Sequence, residues 1–122
     1  MISARILAAA FIASAAAPAL AAGDVEAGKN VFKKCAVCHT AEAGKNKIGP
    51  SLFGIVDRKS ATVDGFNYSP AMKGANKVWS AAELDTYLAA PQKVVPGSRM
   101  VFVGLPNAKE REDIIAYLST LK

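Results

Sequence analysis

The run Cys-Ala-Val-Cys-His at 35–39 constrains this chain more than any other stretch. Cys35 and Cys38 are the only cysteines, and His39 is the only histidine. Two thiols three positions apart can lie along one edge of a flat macrocycle, and each can add to a haem vinyl group. An imidazole directly after the second thiol arrives under the metal with little freedom left to lose, so iron binding becomes effectively intramolecular. Other chemistries also use C-x-x-C. A thioredoxin-like dithiol needs a βαβ frame, and none reads around the motif. A zinc site needs four ligands, and no second cysteine or histidine pair exists. A structural disulfide suits an exported chain. Covalent haem attachment is the leading reading, with disulfide and dithiol as the alternatives.

The beginning of the chain reads differently from the rest. Ile6 to Ala17 is an uncharged, alanine-rich run of 12 residues preceded by one charge, Arg5. Pro18 breaks it, and Ala19-Leu20-Ala21 supplies a small-x-small cleavage pattern, so residues 1–21 read as a secretory signal peptide. An uncleaved anchor is the alternative, but the run is short of the ~20 residues a membrane span needs. Removal after Ala21 leaves residues 22–122 as one domain. A domain of that size has a marginal core of its own, and wrapping a large apolar plate would enlarge it.

Fifteen basic against ten acidic residues give the whole chain +5. Loss of Arg5 lowers this to +4, and two haem propionates would bring it to +2. No basic helix or aromatic-interleaved basic patch is present, which argues against nucleic acid. A modest positive patch that steers docking to acidic partners fits better.

Local signals place short helices around the motif. Asp24 can cap a helix whose apolar positions are Val25, Gly28, Val31, Phe32 and Cys35. Gly28 weakens that helix interior by roughly 1 kcal/mol, which a close helix crossing over Phe32 would explain. Thr40 to Lys47 is polar. Pro50 makes a rigid turn and offers a carbonyl to the second imidazole nitrogen of His39. Leu52 to Tyr68 reads as loop. Arg58, Tyr68 and Trp79 carry polar tips able to reach buried carboxylates, Arg58 by its bidentate fork. Pro70 starts a short helix that Gly74 ends. Ser80 with Glu83 forms a capping box for a helix through Leu84, Tyr87 and Leu88 that Pro91 stops. Lys93 to Val103 reads as loop. Asn107 with Glu110 opens a last helix with Ile114, Tyr117, Leu118 and Leu121 on one face, Tyr117 falling near Gly28.

An electron carrier keeps both axial positions of its iron filled, and a thioether raises the potential. Besides Met1, the chain has Met72 and Met100. Met100 follows Pro96-Gly97 in an extended loop able to drape across a flat surface. Met72 falls on a short helix, where packing is the commoner role. Ser98 could bond a propionate, and Tyr87 could tune the sulfur.

Taken together these residues resemble the class I c-type cytochromes, in the cytochrome c2 and mitochondrial cytochrome c group. The resemblance covers 23–122. It rests on Gly-Asp-Val-Glu at 23–26, Lys-Cys-Ala-Val-Cys-His-Thr at 34–40, Ile-Gly-Pro at 48–50 and Gly-Phe-Asn-Tyr at 65–68. It continues through Trp79, Tyr87-Leu88, Val-Pro-Gly-Ser-Arg-Met at 95–100 and the stretch 110–118. It implies a small all-α fold with crossing N- and C-terminal helices around one covalent haem c. Cys35 and Cys38 would hold the haem, with His39 and Met100 as axial ligands and Pro50 accepting from His39. Arg58, Tyr68, Trp79 and Ser98 would surround the propionates. Tyr87 would lie near the Met100 sulfur, and Phe102 would flank the haem edge.

The implied role is a soluble, monomeric periplasmic electron carrier rather than an enzyme. It would dock transiently on membrane redox complexes, such as a cytochrome bc1-type donor and an oxidase or photosynthetic reaction-centre acceptor. There are departures. Met72 stands where mitochondrial members carry asparagine, and Gln92, Pro106 and Asn107 stand where those members are basic. The basic ring thus rests on Lys33, Lys34, Lys45, Lys47, Lys93, Arg99 and Lys109. The rival readings are a peroxidase-like haem enzyme with a displaceable Met100, which lacks a distal base, and a haem-free thiol oxidoreductase.

Overall fold

Most helices in this chain start on a side-chain cap. The computed structural model describes residues 8–12 and 23–122; the expected leader, apart from 8–12, and its cleavage site lie outside them. Five helices are present among the described residues: α1 (Val25–Phe32), α2 (Pro70–Lys73), α3 (Ala81–Ala89), α4 (Pro91–Val94) and α5 (Ala108–Leu118). The only extended pairing among them is an isolated antiparallel bridge between Lys59 and Val78.

Each cap does what its residue type allows. Asp24, Ser69, Ser80 and Asn107 accept from the backbone N–H three residues on, at 3.0 to 3.1 Å. Such bonds satisfy donors that a helix start would otherwise leave bare. The capping box expected at Ser80 is only half made, and the glutamate three after Asn107 does not reach back either. Glu83 turns to Lys77 at 2.8 Å and Glu110 to Lys34 at 3.1 Å. A charged partner outcompetes the reach back to a backbone N–H. Residues 93 and 94 also depart from the expected loop. Pro91 stops α3, yet as a first-turn residue it starts α4.

The packing centre is the crossing of α1 and α5. A methyl placed on Gly28 would lie 2.0 Å from the Asp113 carbonyl oxygen and 2.7 Å from Tyr117 Cβ. Only a missing side chain allows that approach. Phe32 and Tyr117 stack edge-on beside it, with ring centroids 5.4 Å apart. Asp113, buried at the crossing, accepts from the Asp24 backbone N–H at 2.8 Å and from the Lys109 ammonium. The carboxylate of the last helix therefore fixes the start of the first.

The fully buried apolar set is small: Val31, Ile55, Trp79, Leu84, Tyr87, Leu88, Val95, Leu105, Ile114 and Leu118. It does not form a closed core. All of it but Val31, Val95 and Leu105 lines one side of a cavity of about 790 Å³.

Candidate haem site

The loop after α1 brings its reactive side chains together through backbone bonds. The His39 N–H donates to the Cys35 carbonyl at 2.9 Å, and the Cys38 N–H donates to the same oxygen at 3.0 Å. This turn puts Cys35, Cys38 and His39 on the wall of one cavity. Both cysteines are free thiols, partly buried. Burial pushes the Cys35 thiol above its ordinary pKa, against the pull of Lys34.

The next segment holds the imidazole. The Gly49 N–H donates to the Cys38 carbonyl at 2.8 Å, folding 47–50 back over the motif. A Cβ at Gly49 would sit 2.4 Å from His39 Cε1, so only glycine leaves room for the ring. His39 Nδ1 lies 2.7 Å from the Pro50 carbonyl oxygen. That oxygen can only accept, so Nδ1 carries the proton and Nε2 presents a bare lone pair. Burial lowers the His39 pKa, with the Pro50 bond opposing it. A neutral imidazole is the form that ligates a metal.

The cavity is also lined by Met100 and Tyr87. The Tyr87 hydroxyl donates to Met100 Sδ at 3.1 Å. Desolvation raises the Tyr87 pKa, so the phenol keeps its proton for that bond, with Ser98 acting in the opposite sense. The Trp79 and Tyr87 rings lie 4.7 Å apart, tilted by 49°, and together wall the cavity. Met72 lines the same space and packs on the core, the packing role its short helix suggested.

The residues expected near carboxylates all reach the cavity, and Arg58 has fewer free donors there than its type suggests. Arg58 donates from Nη1 to the Phe53 carbonyl at 3.0 Å and from Nη2 to the Ser51 carbonyl at 3.2 Å. Burial is the main cause lowering its pKa. The Tyr68 oxygen accepts from the Val63 N–H at 3.0 Å, which leaves its own proton to donate. Ser98 Oγ accepts from the Met100 N–H at 3.3 Å. Trp79 is buried, and its backbone N–H donates to the Arg58 carbonyl at 2.8 Å, tying the two residues together.

All eleven residues given a place around the haem from the sequence therefore line one cavity: Cys35, Cys38, His39, Pro50, Arg58, Tyr68, Trp79, Tyr87, Ser98, Met100 and Phe102. Three others were missed. Gly49 seats His39, Gln92 donates to the carbonyls of Ser98 and Met100, and Arg111 donates to those of Leu105 and Pro106. For Gly49 a signal existed: a glycine ten residues after the histidine and just before the proline expected to bond it.

The fit to a haem is chemical as well as spatial. Two thiols can form thioethers with vinyl groups, one imidazole offers a lone pair, and one thioether is oriented by a phenol. An all-α shell around an apolar cavity carrying that donor set defines the class of small proteins that enclose a covalently held haem. The cytochrome c family model matches residues 25–122, and the chain belongs to that family. It is 50% identical over 102 residues to cytochrome c2 of Rhodoblastus acidophilus, covering 83% of this chain and 95% of that protein. It is likewise 50% identical over 97 residues to cytochrome c2 of Rhodoplanes tepidamans, covering 79% and 91%. Among solved structures it is similar to cytochrome cH from Methylobacterium extorquens, with TM-score 0.76, 43% identity, and 80% and 99% coverage. The fold is the class I cytochrome c fold, the cofactor is haem c, and the protein is an electron-transfer cytochrome rather than an enzyme.

Proposed function

We propose that Cys35 and Cys38 carry the two thioether links, that His39 Nε2 and Met100 Sδ are the axial ligands, and that the protein shuttles single electrons in the periplasm. The observation that carries this is the use of each ligand's second contact. The far nitrogen of His39 faces the Pro50 carbonyl, and the Met100 sulfur accepts from Tyr87. Each ligand is thereby pre-oriented, with one lone pair left over. The bound haem supplies the one-electron couple. The protein's part is to keep both donors in place in either charge state, so that little reorganises. It also surrounds them with apolar side chains that exclude water and favour the less charged, reduced state. Arg58, Tyr68, Trp79 and Ser98 form the polar side of the cavity, where we place the propionates.

The leader pattern over 1–21 supports export, with 22–122 as the functional domain. Around the cavity mouth Val37, Ile48 and Val101 are exposed, with Lys34, Lys47 and Arg99 also on the cavity rim. An apolar centre with basic neighbours suits brief docking of a monomer on an acidic surface of a membrane redox complex. A bc1-type donor and an oxidase or reaction-centre acceptor are the partners we infer.

Visible spectra of the exported protein in both redox states test the ligand set. Met100→Ala should abolish the sulfur-to-iron charge-transfer band of the oxidised form, and Met72→Ala should keep it. A Met100→Ala protein that retained the band would overturn the assignment.

A further inference from the structure

We propose that Gln92 is a positioning residue for Met100: its amide clasps the near end of the loop that carries the sulfur and sets how readily the sulfur yields to another ligand. This rests on the reading of Met100 as an axial ligand. The side chain of Gln92 donates from Nε2 to the Ser98 carbonyl at 2.9 Å and to the Met100 carbonyl at 2.8 Å. Both partners are acceptors, so only the NH2 end of the amide can serve. The clasp stands on firm ground. Gln92 is the second residue of α4, whose first residue, Pro91, is fully buried, and Val95 just beyond is 3% exposed.

The rest of the loop has few other polar ties: Arg99 Nη1 donates to the Asn67 carbonyl at 3.3 Å, Phe102 packs on the core and Gly104 is buried. Among the described residues, 101–104 make no backbone hydrogen bond, and Val101 and Val103 are 100% and 96% exposed. The Met100 N–H bonds only locally, to Ser98 Oγ. The far end is fixed independently. The Leu105 N–H donates to the Leu88 carbonyl at 2.7 Å. Arg111 joins the Leu105 and Pro106 carbonyls, at 2.7 and 3.0 Å, to Asp85 at 2.8 Å. The loop is thus hinged at 105 and latched at 98–100. Swinging the sulfur out breaks the Tyr87 contact and the Gln92 pair while leaving the helices in place.

An added ligand binds only the opened form, so its apparent affinity is scaled by the opened fraction. Each lost solvent-facing hydrogen bond changes an equilibrium by roughly two- to tenfold. The experiment titrates the oxidised holoprotein with imidazole and follows loss of the sulfur-to-iron band. Gln92→Ala should bind imidazole roughly tenfold more tightly, with far-ultraviolet circular dichroism unchanged. Gln92→Glu, which turns the donor into an acceptor facing two carbonyls, should be at least as loose. Gln92→Asn, one methylene short, should fall between wild type and alanine. Imidazole affinity within twofold of wild type in Gln92→Ala would overturn the proposal. So would a Gln92→Ala protein that failed to fold, because the latch acts on the loop alone. If Met100→Ala kept the band, the ligand assignment beneath would fail; if only the Gln92 series were flat, the latch alone would.

Discussion

Replacing Gly28 with alanine sets helix propensity against a steric crossing, and the two predict opposite signs. Inside α1, alanine favours the helix by about 1 kcal/mol over glycine. At the crossing, the added Cβ would lie 2.0 Å from the Asp113 carbonyl oxygen, where ordinary contact begins at 3.4 Å. The obstacle is backbone, so α1 and α5 must separate by more than 1 Å. That separation loosens the Phe32–Tyr117 pair and the bond from the Asp24 N–H to Asp113. Overpacking costs about 1–3 kcal/mol and the aromatic pair about 0.5–1.5 kcal/mol. With the propensity gain set against them, the net is a loss of about 2 kcal/mol, or roughly 10 °C in Tm for a domain this small. Thermal and guanidinium unfolding of the holoprotein, followed by circular dichroism, measures it. Gly74→Ala is the control: its φ is −89°, and a Cβ there meets nothing closer than the Pro70 carbonyl oxygen at 3.5 Å. It should be neutral or slightly stabilised. A Gly28→Ala protein at least as stable as wild type would refute the reasoning.

Two further outcomes follow from charge. The Lys109 ammonium and the Asp24 N–H hold the Asp113 carboxyl below the usual carboxylate range. A depressed native pKa contributes stability that is full above the unfolded value of about 4 and is lost as pH falls through the native one. Asp113→Asn should therefore be less stable than wild type at pH 7, with the gap closing below about pH 4; a gap that widened in acid would contradict the ion-pair role. Docking should depend on salt only weakly. Lys34 pairs with Glu110 at 3.1 Å and Lys45 with Glu42 at 3.2 Å, which thins the outward field. Stopped-flow electron transfer with an acidic partner should slow with added salt by about tenfold or less; a rate that rose would exclude a positive docking surface.

Local chemistry was readable in the sequence, and long-range acceptors were not. The caps at Asp24, Ser69, Ser80 and Asn107 involve residues three apart, so residue type alone locates them. The Gly28–Tyr117 approach was readable because a glycine inside an apolar stripe needs a reason, and a second apolar helix supplies one. The pairing of Glu83 and Glu110 was not, because Lys77 and Lys34 come from elsewhere in the chain to take the glutamates. Gln92, Arg111 and two of the Arg58 donors act on backbone carbonyls, which every residue possesses and no sequence pattern marks. Nothing in the sequence marks Asp113 apart from its acidic neighbours Glu110 and Glu112. Only the fold reveals that the start of α1 lies against it.

Most of what we propose depends on the sulfurs of Cys35 and Cys38 holding the haem covalently. Denaturing mass spectrometry of the exported protein measures this directly. The expected result is the polypeptide mass plus one haem, with the added haem mass surviving acid and organic solvent and lost when both cysteines are replaced by serine. A purified protein, made in a host able to attach haem, that ran at the bare polypeptide mass would contradict it.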